Sequence, residues 1–214
     1  MTAIWSVLTM DDTVRQRRAE RGLLARVDPV QAHRIADAFL AAPRTSSDRL
    51  VRAAYHDLAG QAARWFDRLT GPAARVPIRV VYTRNLDPYA TGCELAQRVR
   101  RERVLELWPS RYDRDRTHPL LDDSVGGAFD RMRAVHDIVS HAGCGFEFDR
   151  DGEYSAWRYE HRMYTGLARW ALATELHAEH SVLWTTGSPA VHKAMLLPPR
   201  LLAASLNATV AAVG

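Results

Sequence analysis

The chain has 214 residues, of which 47% are hydrophobic and 25% charged, an ordinary composition for a globular protein that buries its own core. No stretch approaches the roughly 20 consecutive apolar residues that a membrane helix needs, so we expect no membrane partner. The formal charge of +4 comes almost entirely from arginine, because Lys193 is the only lysine. The arginines approach a basic stripe only over residues 15–26, so we do not expect nucleic acid as a partner.

The N-terminal part, residues 1–71, has the pattern of a series of helices. It begins with the short apolar run MTAIWSVLTMDD, which lacks the basic region of a secretory signal, so we expect a cytoplasmic protein. Asp28-Pro29 is typical of a helix N-cap and first turn. Ser46-Ser47-Asp48 predicts the cap of a further helix, whose apolar residues recur every three or four positions as far as Leu69.

Residues 72–127 predict a small strand-helix-strand element followed by a loop. The segment from Val76 to Thr83 alternates and is rich in β-branched residues, as in a strand. Asp87-Pro88 predicts the start of a helix, and Val104 to Trp108 a second short strand. A charged, turn-rich segment over residues 110–127 then predicts a long surface loop, a kind of segment that is often functional.

The rest of the chain predicts helices over residues 128–141, 152–164 and 166–182, with an apolar tail over residues 183–214. We expect the tail to dock on the core or on a second copy of the chain, which would make a homodimer. The whole chain, residues 1–214, is therefore predicted as one domain. Its class is mainly α with a small β element (α+β), with a two-strand element in the middle and a helical scaffold around the candidate site in residues 128–182.

Histidine is concentrated in one region of the chain. Five of the nine histidines lie within 45 residues: His136, His141, His161, His177 and His180. Imidazole is the commonest metal ligand and the usual acid or base near neutral pH. In HDIVSH, His136 and His141 are five residues apart, which is about 140° on an ideal α-helix. Both rings therefore reach one metal ion only if the helix ends or bulges between them.

A third ligand is predicted at Glu175, which lies among apolar residues of a later helix, where a carboxylate needs a partner or a metal. Pairing with an arginine such as Arg169 is the alternative, and His180 is expected outside the ligand set. Two imidazoles and one carboxylate form the facial triad of non-haem Fe(II) oxygenases. We therefore expect Fe(II), with Zn or Mn as alternatives, at His136, His141 and Glu175, and O2 and a small organic molecule as substrates.

HDIVSH also resembles the HDxxGH or HExxGH signature of the pterin-dependent aromatic amino acid hydroxylases, whose two histidines and a later glutamate bind iron. WALATE, residues 170–175, is similar to the helix that carries the glutamate in that family. Ser140 and Ala142 stand where the family has glycine and proline. The resemblance implies an iron monooxygenase with His136, His141 and Glu175 as ligands, Asp137 near a pterin, and an aromatic substrate.

Four residues of GEYSAWRYEHRMY follow steps of four, four and three and so share one helical face: Glu153, Trp157, His161 and Tyr164. Such a face predicts a pocket wall or a layer that orients the metal-bound histidines; the alternative is an amphipathic interface helix. We assign candidate catalytic roles to Asp137, Glu153, His161 and Tyr164, and cofactor contacts to Trp157 and Asp137. If Glu153 and His161 bind directly, the site could hold two metal ions.

Two other functions fit parts of the sequence. In an HD-type metal-dependent phosphohydrolase, His136-Asp137 would form the central doublet, with His118 and either Asp149 or Asp151 as further ligands. The same dipeptide recurs as His56-Asp57 in a predicted scaffold helix. The other alternative is a non-enzymatic scaffold that contains a structural metal, although such sites usually include cysteine.

Overall fold

The computed structural model describes residues 25–44, 46–112, 117–122 and 124–207. Most of these residues are helical, and two short strands form a small parallel sheet. The predicted class, mainly α with a small β element, is therefore confirmed. The helices predicted before residue 25 lie outside the described residues. In the part of the chain that is described, no helix is both long and apolar enough to cross a membrane.

The elements are named in chain order. They are α1 (Pro29–Ala41), α2 (Arg49–Thr70), β1 (Arg79–Tyr82), α3 (Gly92–Glu102), β2 (Val104–Leu107), a 3-10 turn (Ser110–Tyr112), α4 (Ala128–His136), the π-helix π1 (Asp137–Cys144), α5 (Arg150–Glu160), α6 (Ala168–Leu172), the π-helix π2 (Ala173–Ala178), α7 (Glu179–Thr186) and α8 (Pro199–Asn207). Thus α4 continues directly into π1, and α6, π2 and α7 form one continuous rod.

The caps of the first two helices are those that the sequence predicts. The Asp28 side chain accepts hydrogen bonds from the backbone N–H groups of Val30 and Gln31 at the start of α1. The Asp48 side chain accepts one from Leu50 N–H, at 2.7 Å, at the start of α2. Each carboxylate satisfies backbone donors that have no partner within the helix.

The two strands and α3 form a β-α-β unit, with Arg79 opposite Val104 and Tyr82 opposite Leu107. The helix does not begin at Asp87-Pro88, so that prediction is wrong. It begins at Gly92, because Thr91 is the N-cap and accepts from Glu94 N–H at 3.0 Å. The Glu94 carboxylate in turn accepts a hydrogen bond from the backbone N–H of Ala90, just before the helix, much as in a capping box.

The helices pack so that π1 is enclosed by α3 on one side and α5 on another, while α2 packs against α4 and α6, and α1 against α7. The only lysine closes this arrangement, since Lys193 Nζ donates to the carbonyls of Phe39, Leu40 and Ala42 at the end of α1. A cation at a helix C-terminus satisfies carbonyls that lack helical partners. This contact fixes the segment after α7 against the first helix.

Candidate metal centre

The two histidines of HDIVSH meet because the helix changes its winding between them. His136 is the last residue of α4, and π1 begins at the next residue. A π-turn closes over five residues instead of four, which brings side chains five positions apart back to one face. The Nε2 atoms of His136 and His141 lie 3.0 Å apart, with the two rings edge to face at 85°. The bulge that the sequence requires for this convergence is therefore present.

Both imidazoles are held from their outer side. His136 Nδ1 lies 2.7 Å from the Glu160 carboxylate, and His141 Nδ1 lies 2.8 Å from the Phe146 carbonyl oxygen. Carboxylate and carbonyl oxygens accept hydrogen bonds, so each Nδ1 carries a proton, and each Nε2 is the nitrogen that binds a metal ion when it is unprotonated. Outer partners of this kind orient metal-bound histidines in known metal sites.

Glu153, on α5, is the third member of the cluster. Its Oε2 lies 3.2 Å from His136 Nε2, and its Oε1 lies 3.6 Å from His141 Nε2. Ligand atoms of the three residues all lie within 4.8 Å of one another. Glu153 Oε2 is buried, and its neighbours among the described residues include the imidazoles of His136 and His180. Two imidazole lone pairs and a carboxylate facing one point require a cation or protons between them.

The pKa values of the cluster follow from this crowding. Burial raises the pKa of Glu153, but His180, His136 and His141 outweigh it and lower the pKa to about 2. Burial disfavours the His136 imidazolium, yet Glu160 and Glu153 raise the pKa of His136 well above its usual value. For His141, burial and the neighbouring His136 both lower the pKa. The cluster thus favours an ionised carboxylate that faces positive charge.

The cluster lies at the edge of the core rather than at its centre. The side chains of His136 and Glu153 each retain 9% of their exposure, whereas the Glu160 side chain has none. Phe148, which is 37% exposed, places its ring 4.6 Å from the His141 ring. His180 Nε2 lies 3.9 Å from Glu153 Oε2 on another side. The cluster is therefore nearly enclosed, and the partly exposed Phe148 ring lies beside it.

Glu175 is placed in a different group, which is the main correction to the predicted ligand set. Its Oε1 accepts a hydrogen bond from the Tyr55 hydroxyl at 2.6 Å and lies 3.1 Å from His118 Nε2. Its other neighbours with ligand atoms are Glu179 and His192. The physical reason is that π2 turns this carboxylate towards α2 and the segment around His118, whereas α5 presents Glu153 to the two histidines.

The predicted face on α5 is divided between the cluster and the core. Only Glu153 faces His136 and His141. Trp157 is fully buried and stacks on His177, with ring centroids 4.2 Å apart, and Tyr164 is also fully buried. His161 lies edge to face with Trp157, at 5.8 Å. Of the residues assigned catalytic or cofactor roles, Trp157, His161 and Tyr164 are therefore packing neighbours outside the metal cluster.

Asp137 is the first residue of π1 and is adjacent to His136. Burial raises its pKa, although His136 and His141 act in the opposite direction. It is not among the described residues whose ligand atoms converge with those of the two histidines.

The ligands of a phosphohydrolase site are not brought together around His136-Asp137. His118 faces Glu175. Asp149 caps α5 through Gly152 N–H at 2.7 Å, and Asp151 accepts from Val27 N–H at 3.0 Å. In the second HD dipeptide, Asp57 accepts from Ala168 N–H at 3.1 Å. These carboxylates are occupied by backbone donors, which is a structural role.

Glu160 is a functional candidate that the sequence reasoning missed. It is fully buried and accepts hydrogen bonds from both His136 Nδ1 and Ser140 Oγ, the latter at 2.5 Å. A signal was present, because Glu153 and Glu160 are seven residues apart and so share a helix face two turns apart.

A comparison of the chain with models of known protein families, with curated proteins and with solved structures finds no match in any of the three.

Proposed function

We propose that this chain is a metal-dependent enzyme that binds Fe(II) through His136, His141 and Glu153 and oxidises or hydroxylates a small organic molecule. One observation carries the proposal: three buried acceptor groups face a single point, and outer partners fix both imidazole tautomers so that the lone pairs meet there. Glu153 takes the position that was predicted for Glu175. The function is that of a mononuclear non-haem oxygenase.

The donor set supports iron chemistry over a closed structural site. Two imidazoles and one carboxylate are the facial triad of non-haem Fe(II) oxygenases, which leaves coordination positions open. The group contains no cysteine, whereas closed structural zinc sites usually do. An Fe(II) ion held by these residues would bind and activate O2, and the electrons that hydroxylation needs beyond those of the substrate would come from a separate reductant.

The residues of the chain have separate tasks in this proposal. Glu160 and the Phe146 carbonyl hold the protons at the Nδ1 atoms of His136 and His141, and thereby direct both Nε2 lone pairs inward. Glu153 supplies the negative charge that compensates the cation. The partly exposed Phe148 ring lies beside His141, and this supports an apolar or aromatic substrate. A pterin remains one candidate for the reductant.

The ligand assignment is tested by titrating the protein anaerobically with Fe(II) and measuring the heat of binding by calorimetry. We expect Glu153→Gln and His141→Ala to abolish binding at the cluster, because each removes one of three ligands. Glu102→Gln is the matched control, since this carboxylate is more than half exposed on α3 and should leave the affinity unchanged. Unaltered Fe(II) affinity in folded Glu153→Gln protein would overturn the assignment.

The reaction class is tested by oxygen uptake with the Fe(II)-loaded protein and a panel of aromatic and aliphatic substrates. Oxygen uptake is measured without a cosubstrate, with a reduced pterin, and with 2-oxoglutarate. We expect substrate-dependent uptake that Glu153→Gln abolishes. If the protein binds Fe(II) but consumes no O2 in any combination, the oxygenase function is wrong and only the metal site remains.

A further inference from the structure

A second group of potential ligands lies on the rod formed by α6, π2 and α7. Glu175, Glu179 and His192 offer ligand atoms that all lie within 4.8 Å of one another. Glu175 belongs to π2, Glu179 is the first residue of α7, and His192 lies in the segment after that helix. His180, which faces Glu153 of the first cluster, directly follows Glu179. One rod therefore contributes to both groups from neighbouring positions.

Glu175 has an acceptor without a partner in this group. The residue is 4% exposed, and its Oε1 is engaged by the Tyr55 hydroxyl and by His118 Nε2. His118 Nδ1 accepts from Leu120 N–H at 3.3 Å, so Nε2 is the protonated nitrogen and donates to Glu175. Glu175 Oε2 is buried and has no hydrogen-bond partner among the residues that the structure describes. A buried ionised oxygen without a donor is costly unless a cation binds it.

The second carboxylate increases that cost. Glu179 lies one helical turn after Glu175, and its two oxygens lie 2.9 Å and 3.1 Å from His192 Nδ1. A buried carboxylate and a partly buried one whose ligand atoms lie within 4.8 Å of one another repel each other more strongly than they would in water. His118 and His192 each face one of these carboxylates, and they leave Glu175 Oε2 without a donor among the described residues. The His192 ring is itself held edge to face against Phe129, with centroids 4.9 Å apart, so its nitrogens are positioned in advance.

We propose that Glu175, Glu179 and His192 bind a second divalent transition-metal ion, separate from the ion at His136, His141 and Glu153. Tyr55 and His118 hold the Glu175 carboxylate in place from outside, as hydrogen-bonded neighbours do for ligating carboxylates. Two carboxylates and one imidazole form a harder donor set than that of the first cluster. It suits Mn(II), Fe(II) or Zn(II), and the imidazole disfavours Mg(II).

The test is equilibrium dialysis of the full chain against Mn(II), with the bound metal measured by elemental analysis. We expect wild-type protein to bind two ions per chain, Glu179→Gln and Glu153→Gln one each, and the double variant none. Millimolar Mg(II) should not displace the ion that Glu179→Gln removes. Glu179→Gln is nearly isosteric and relieves carboxylate repulsion, so it should fold; His192→Ala, at the edge of the group, is the second variant.

The outcomes separate the two sites. If Glu179→Gln and His192→Ala both bind as many ions as wild type, the second site is overturned, whatever Glu153→Gln does. If Glu179→Gln loses one ion while Glu153→Gln loses none, the second site stands and the proposed Fe(II) triad fails. Displacement of the second ion by Mg(II) would also overturn the proposal as stated, because it would mean that His192 is not a ligand.

Discussion

Glu160 connects two side chains of the α4–π1 helix, and its effect should be visible in metal affinity. The carboxylate fixes the proton on His136 Nδ1 and also accepts from Ser140 Oγ. We predict that Glu160→Gln weakens Fe(II) binding by about 10- to 100-fold, the range found when outer partners of metal ligands are changed. Calorimetric titration measures this. Ser140→Ala is the control and should have a smaller effect, because the bond between Glu160 and His136 remains.

His161 shows how a residue that resembles a ligand can be a half-buried neutral base. Burial, followed by the charges of Arg169 and Arg162, lowers its pKa to about 4, whereas an unfolded chain has a histidine pKa of about 6.5. At a pH between these two pKa values, His161 binds a proton in the unfolded state but not in the folded state. The contribution of His161 to stability is therefore complete above pH 6.5 and is lost progressively as the pH falls towards 4.

Two measurements check this prediction. An NMR titration of the His161 ring should give a midpoint near 4, and a midpoint at 6.5 or above would contradict it. Denaturant unfolding at a series of pH values should show a weaker loss of stability between pH 6.5 and 4 for His161→Gln than for wild type. The comparison isolates one residue, because the remaining titratable groups are common to both proteins.

At the scale of the element, the π-turn is the feature that local sequence rules predict only in outline. The five-residue spacing of His136 and His141 requires a departure from α-helical winding, and that departure was predicted. Its form was not, because a helix end and a bulge both fit the spacing, whereas the helix continues as π1 to Cys144. π1 packs between α3 and α5. This is a tertiary contact, and the spacing of the two histidines does not predict it.

Gly152 is the position at which α5 approaches the preceding turn most closely. A Cβ atom there would lie 2.2 Å from the Glu147 carbonyl oxygen and 2.9 Å from the Glu147 nitrogen. Both are backbone atoms that a rotamer change cannot move. We predict that Gly152→Ala destabilises the fold by about 1–3 kcal/mol, as overpacking does. It should also weaken metal binding, because Glu153 is the next residue of the same helix turn.

Gly60 provides the matched control for this substitution. It lies inside α2, and a Cβ there would meet only the end of the flexible Arg64 side chain, at 3.7 Å. Alanine should therefore stabilise the protein by roughly 0.5–1 kcal/mol through its higher helix propensity. Urea unfolding of the two variants measures the difference. Equal free energies of unfolding for the two would show that the contact at Gly152 is not restrictive.

At the scale of the whole molecule, the choice between Glu153 and Glu175 could not be made from the sequence. The helix caps at Asp28 and Asp48 are local signals, and both were predicted. The partners of Glu175 are not local, since Tyr55 is 120 residues away from it and His118 is 57 residues away. A buried carboxylate signals that a partner exists but does not identify it. Only the packing of α2 against the later helices does so.

The first cluster connects three helical segments, namely the helix formed by α4 and π1, α5, and, through His180, α7. These segments separate when the protein unfolds. An ion that binds the folded state alone raises the free energy of unfolding by about 2.7 kcal/mol at 100 times its dissociation constant. We predict a gain of this size for wild-type protein in Fe(II) under anaerobic conditions. Glu153→Gln should show a smaller gain, limited to binding elsewhere on the chain. Denaturant unfolding with and without the metal measures both values, and a chelator should reverse the gain. Equal gains in the two proteins would contradict the link between this cluster and stability, because the ion would then be held without Glu153.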